Sequence, residues 1–412
     1  MNAAILPPDE QANLARVSNL AFVAGLAGVG VCLVGMFLPD TPDTRVTSFR
    51  AWLVAFNLGT GIAVGSLVVL MLQYLTGGVW GVVLRRPLEA ATRTLPLMAV
   101  LFVPLACGLP ELYAWARPEE VARDENLQHK ALYLNPTFFL IRAAIYFAIW
   151  SGIAWLLSAW SKRQDTGSGP NPTILSRCEA LSAPGMILYV LTITFASIDW
   201  VMSLEPHWYS TIYGAMFGMG QVLSGFAFAV AVVALLAARK PLSDLLGRQQ
   251  RRDLGSLLMA FVIVWAYLSF MQFLLIWAGN LPEEVPWYLA RLMGPWKYVA
   301  LSLIVLHYAL PFAVLLSASL RSNRSALVWV ASLVVVMRVV DLLWLIVPAF
   351  DHHSHAHTEE ASTGMTFLAP LLYAAALVAV GGLWLGVYLR QLAGRPLLPV
   401  GVTIEKEDSH HG

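Results

Sequence analysis

Residues 325–348 read SALVWVASLVVVMRVVDLLWLIVP. This stretch is long enough to cross a bilayer, which takes about 20 mainly apolar residues. Two charges interrupt it, Arg338 and Asp341, three positions apart and so neighbours on one helix face. A charge near the middle of a spanning helix costs roughly 2.5 to 3.5 kcal/mol on insertion scales. Both side chains must therefore face protein or water rather than lipid. The segment decides the fold class: an all-α integral membrane protein whose interior holds charge.

The rest of the chain repeats the pattern. Segments near 18–38, 48–75, 93–114, 136–160, 183–203, 211–238, 254–279, 295–319, 325–348 and 365–391 read as ten transmembrane helices. Only 12% of the 412 residues are charged, 58% are hydrophobic and the mean hydropathy is +0.67, which a soluble chain could not carry without exposing apolar surface. Seventeen Lys and Arg fall in the N-terminal segment, the even loops and the C-terminal tail, against six in the odd loops. The positive-inside rule then places both termini in the cytoplasm. Residues 1–17 are too polar for a signal-peptide core, so the first span is expected to persist. The net charge of +1 gives no reason to expect a nucleic-acid partner, and membrane lipid is the expected surroundings. Cys32, Cys107 and Cys178 are scattered, with no CxxC, no CxxCH and no iron-sulfur spacing, so neither covalent haem nor a Cys-ligated cluster is expected.

Spans two to five and six to nine share landmarks in the same order. Gly61-x3-Gly65 pairs with Gly214-x3-Gly218, and Leu109-Pro110-Glu111 with Leu281-Pro282-Glu283. Tyr133-Leu134-x7-Arg142 pairs with Tyr288-Leu289-x7-Lys297, and Asp199-x6-Pro206 with Asp341-x6-Pro348. The expected architecture is two tandem four-helix bundles flanked by the first and last helices, and an even number of spans gives both repeats one orientation. The segments are 1–47 (first span), 48–210 (first bundle), 211–350 (second bundle), 351–364 (a His-rich outer loop) and 365–412 (last span and tail). The glycine pairs read as close helix packing. Trp80, Trp115, Trp208, Trp287 and Trp296 read as interfacial anchors.

Arg142 lies about 9 Å below the outer end of span four, with Tyr146 one turn deeper. Asp199 returns to a similar depth on span five and can pair with Arg142. Lys297 and Asp341 hold the matching positions in the second bundle, with Arg338 one turn from Asp341. Beyond them His307, Tyr308, Tyr267, Gln272 and Gln221 extend a file of protonatable and polar groups inward, as proton transfer through a bilayer requires. The plainer alternative is that the charges pair off and lock neighbouring helices, and that His307 is a hydrogen-bonded interior histidine. Glu205 and His207, in the hairpin after Asp199, could pass protons outward or form a docking surface. The 351–357 loop, DHHSHAH, reads as a solvated outer loop in preference to a metal site. No catalytic residue and no metal ligand is assigned.

The hairpin SLEPHWYSTIYG at 203–214 with its preceding Asp199-Trp200, the ten spans and the duplicated bundles together resemble the NrfD-like membrane subunits of alternative complex III, most of all the second large one. The resemblance covers nearly the whole chain. It implies a multi-pass subunit of the bacterial inner membrane in a quinol:cytochrome c oxidoreductase. Its partners would be a sibling NrfD-like subunit, a periplasmic iron-sulfur protein and c-type cytochromes, which hold the haem and clusters and carry the electrons away. It also implies proton half-channels, for which Asp199, Arg142, His307, Lys297, Arg338 and Asp341 are the matching positions. A quinone or quinol site is implied too, but related pockets use His and Asp or Asn at the outer end of the first bundle, and spans one to three here carry no His. A secondary transporter and a structural membrane anchor are the readings from other classes, the transporter weighed against because no span reads as broken by Gly and Pro at midplane.

Overall fold

The computed structural model describes residues 8–37, 42–165, 171–237, 246–350 and 362–396. Among them every regular element is helical, and ten helical segments are long and apolar enough to cross a membrane. The chain is an all-α multi-pass membrane protein. The His-rich loop, most of the segment joining spans four and five, and the C-terminal tail beyond 396 lie outside the described residues.

The helices are α1 (Pro8–Phe37), α2 (Pro42–Thr76), α3 (Val79–Thr92), α4 (Leu95–Leu101), α5 (Val103–Cys107), α6 (Leu109–Leu112), α7 (Pro118–Arg123), α8 (Glu125–Lys130), α9 (Pro136–Asp165), α10 (Pro172–Trp200) and α11 (Tyr213–Leu236). They continue with α12 (Arg248–Gly279), α13 (Val285–Leu292), α14 (Trp296–Ser302), α15 (Leu310–Leu316), α16 (Ala318–Arg321), α17 (Arg324–Ile346) and α18 (Ser362–Ala393). Ten crossings bring the start of α1 and the end of α18 to one face, called the first face below.

At the centre stands α2, whose apolar window is 94% buried, against 22% for α12 at the rim. The reason is glycine: a Cβ on Gly65 would lie 1.9 Å from the Gln221 carbonyl oxygen, and one on Gly225 would lie 2.4 Å from the Ser66 nitrogen. α2 and α11 therefore pack backbone to backbone, joining the two halves of the chain. Gly214 brings α11 against the Thr194 backbone of α10, and Gly218 leaves room for the Tyr189 and Ile193 side chains. α1 packs along α18, where Gly25, Gly28 and Gly382 allow close approach.

The third crossing is broken by Pro96, Pro104 and Pro110 into α4, α5 and α6, since proline removes the helical N–H and clashes with the carbonyl four residues back. The helix before it, α3, falls in a segment counted above with the even loops. It lies across the first-face ends of the other helices. Arg85 reaches Gln73 near the end of α2, and Glu89 reaches Ser161 near the end of α9. Twelve of its fourteen residues are buried, Arg85 and Arg86 among them. Arg291, counted with the outer loops, is also buried. Removing these three leaves fifteen basic residues against five, so the loop asymmetry survives the correction.

Candidate functional site

Three buried charged clusters stand at different depths. On the face opposite the first, Arg142 from α9 and Asp199 from α10 form a two-pronged pair, with Nε to Oδ2 at 2.9 Å and Nη2 to Oδ1 at 2.8 Å. Tyr146 donates to the same carboxylate at 2.7 Å, and Arg142 also donates to the Tyr133 carbonyl and lies 3.9 Å from its ring centre. Every strong donor of the guanidinium side facing the protein is engaged, which is how a half-buried ion pair becomes tolerable. Burial and then the nearby Asp199 carboxylate push the Tyr133 phenol above its ordinary range, so it remains neutral. Ser203 donates to the Asp199 carbonyl at 2.6 Å, and Thr192, one step deeper, accepts from Trp150 at 2.9 Å.

The second cluster sits deeper, in the second half of the chain. Asp341 is paired with Arg338 of its own helix rather than with Lys297. The Trp265 indole lies beside the same carboxylate. Space for the guanidinium exists because residue 220 is glycine: a Cβ there would lie 2.2 Å from Nη1 of Arg338. His307 is fully buried, edge-on to the Trp265 ring at 4.2 Å, and neither ring nitrogen meets a hydrogen-bond partner among the described residues. It lies in a π-helical turn, Leu303–Ala309, between α14 and α15. Pro311 accounts for that turn, since it has no N–H for the carbonyl four residues back, which is that of His307. The helix runs on through this turn, so the π-turn changes the winding of span eight without breaking it.

Lys297 does not join the cluster. It is exposed in the first turn of α14, 5.0 Å from the Tyr298 ring centre, because it stands at the span's end rather than within it. Tyr267 points outward from α12 and is 55% exposed, and Tyr308 is half-buried against Phe312. Of the expected inward file, His307, Gln221 and Gln272 are interior. Gln272 accepts from Ser210 at 2.8 Å, and neither polar atom of Gln221 has a partner among the described residues.

Glu205 has a different partner from any foreseen. Arg291, 0% exposed, donates to it at 2.6 Å and 3.3 Å, and to the carbonyls of Trp287, Trp344 and Leu345. Arg291 thereby closes the end of α17 and ties the 205–212 hairpin down. Its ring contact with Trp287 at 3.7 Å, and the stacking of Trp287 on Trp208 at 4.6 Å, bury two tryptophans that read as interfacial anchors. His207 remains at the surface, where Nε2 meets Asp124 at 2.8 Å.

The third cluster, at the first face, was missed altogether. Glu89, 0% exposed, accepts from Arg86 at 2.7 Å, Ser161 at 2.6 Å and Arg395 at 3.2 Å, and Arg86 also pairs with Asp165. Arg395 reaches back from beyond α18 to Ser158 as well. The signal was Arg86 and Glu89 one turn apart among Val82, Val83, Leu84, Leu88, Ala90 and Ala91, a helix too apolar for a solvated loop.

The interior of the first bundle is filled with aromatic rings. Phe56, Phe102, Phe147, Trp150 and Trp200 meet one another at centroid distances from 5.3 to 6.3 Å. An open groove of about 360 Å³ lies between α9 and α10, lined by Tyr133, Arg142, Ile145, Tyr146, Leu191, Thr192 and Phe195. Among the described residues no group of three or more His, Cys, Asp or Glu is placed to hold a metal ion. No protein-family model matches the chain, and no curated protein is similar to it.

Proposed function

We propose that the chain is a subunit, in the bacterial inner membrane, of a quinol:cytochrome c oxidoreductase of the alternative complex III type. It contributes a proton-conducting or coupling path and complex assembly. Quinol is oxidised mainly in the sibling NrfD-like subunit, a reading supported by the lack of His in spans one to three of this chain, while a quinone site here stays part of the proposal. Electrons leave through the iron-sulfur and c-type cytochrome partners.

The observation that carries this reading is the Arg338, Asp341, Trp265 and His307 cluster, buried and set beside a π-helical turn. A buried carboxylate with a single cationic partner has two accessible states. Protonation of Asp341 dissolves the charge pair and leaves Arg338 free to act on its neighbours, while loss of the proton restores the pair. His307, packed on the Trp265 ring with both ring nitrogens unengaged among the described residues, is the group that would take the proton on. The clusters at Asp199 and Glu89 supply ionisable groups towards either face.

The test is the purified assembly, wild type against Asp341→Asn. Co-purifying c-type haem, with electron transfer kept and proton release lost in the variant, is the expected result. A chain that purifies without haem overturns the respiratory reading, and unchanged proton release overturns the path. A secondary transporter is the second reading, favoured by the π-turn Leu303–Ala309, which changes the winding of span eight near its middle without breaking the helix.

A further inference from the structure

Tyr267 and Tyr308 occupy an unusual place for hydroxyl groups. Tyr267 lies twelve residues before the end of α12, and Tyr308 twelve residues after the start of α14, so both stand roughly 18 Å from the opposite face. Half the hydrocarbon core is about 15 Å thick, so neither side chain reaches an interface from the middle of its span. Tyr267 is 55% exposed and Tyr308 half-buried, and neither makes a hydrogen bond among the described residues. α12 packs against the π-turn Leu303–Ala309 that carries Tyr308, on the outer rim of the second bundle.

A hydroxyl without a partner in hydrocarbon is strongly disfavoured, because no water is there to replace the missing bond. The lipid-facing sides of α1, α10 and α18 avoid the problem. Their exposed mid-depth side chains are apolar: Val23 and Leu26, Ile187 and Leu188, Leu371 and Val378. The rim formed by α12 and the Leu303–Ala309 turn departs from this rule twice at one depth.

We infer that this rim is covered in the mature assembly by a transmembrane helix of a different polypeptide, which presents a hydrogen-bond acceptor at midplane to Tyr267 and Tyr308. Polar contacts of this kind hold membrane helices together where apolar packing alone cannot distinguish protein from lipid. The inference rests on the reading of the chain as a subunit, and it names where on that subunit a partner sits.

The test places a photo-crosslinking p-benzoylphenylalanine at Tyr267, and separately at Leu26 of α1, in the full chain within native membranes. The expected product at Tyr267 is a peptide adduct whose sequence is a membrane-spanning segment of another polypeptide, with Ser, Thr, Asn, Gln or a carboxylate within one turn of the crosslink. Leu26 should give lipid adducts alone. Lipid adducts alone at Tyr267, a peptide lacking any acceptor, or a second copy of this chain would each overturn the inference. The double variant Tyr267→Phe, Tyr308→Phe should lose the partner on detergent extraction while keeping its own thermal transition. Lipid adducts at Tyr267 in an assembly that still carries haem would sink this inference alone. A peptide adduct from a protein of a haem-free assembly would sink the respiratory reading alone.

Discussion

Arg142 and Arg291 solve one physical problem in two ways. Each guanidinium lies over an aromatic ring and donates to a carboxylate, yet Arg142 is half-buried beside one acid and one carbonyl, whereas Arg291 is wholly buried with one acid and three carbonyls. Removing one partner of a buried pair leaves the other uncompensated, a loss of about 3 to 5 kcal/mol. Arg291→Met should therefore lower the thermal transition in detergent by many degrees, and Glu205→Gln should recover part of it. A double variant no better than Arg291→Met would show that the carbonyl contacts, and not the acid, hold the hairpin. The sequence made Arg142 with Asp199 readable because both fall inside apolar spans. It hid Arg291 because a basic residue in a loop between spans is ordinarily solvated, and only the fold brings the α17 carbonyls over it.

Among the elements, the glycine pairs and the prolines do separate work. Gly61 and Gly65 look equivalent in sequence, but a Cβ on Gly61 meets Gln221 at 3.4 Å, an ordinary contact, while one on Gly65 strikes its carbonyl at 1.9 Å. Gly61→Ala should fold and Gly65→Ala should not, measured as the yield of monodisperse protein in detergent; equal yields would mean that α2 and α11 are held apart. Pro311 acts through the backbone. Proline within a helix is unfavourable by about 3 kcal/mol relative to alanine, so Pro311→Ala should raise the thermal transition while it removes the cause of the π-turn and lowers proton transfer through His307. A less stable Pro311→Ala protein would show that the turn is set by its neighbours instead. Helical spans were legible from length and hydropathy alone, since the bilayer fixes both. The course of α3 was not, because an amphipathic helix lying across helix ends has neither the length of a span nor the polarity of a loop. The repeat was legible as landmarks, but it predicted the wrong partner for Asp341: the pairing within α17 replaces the one expected from Lys297.

Across the whole molecule, charge is arranged in layers. The Arg142 and Asp199 pair and the Glu205 and Arg291 pair lie towards one face, Arg338 and Asp341 lie deeper, and Glu89 with Arg86 and Arg395 lies at the other face. If the deep cluster and the first-face cluster are steps of one path, blocking either stops the same flow. Glu89→Gln and Asp341→Asn should then each lower proton release, and the double variant should be no worse than the more impaired single. Two structural lesions at distant sites would instead multiply, since independent effects add in free energy. Glu89→Gln also removes the acceptor shared by Arg86 and Arg395, so a stability control is needed. Arg395→Met breaks the same network from the other side and leaves the Glu89 carboxyl in place. Equal thermal transitions in Glu89→Gln and Arg395→Met, with proton release lost in the first and kept in the second, would assign the effect to the carboxyl itself.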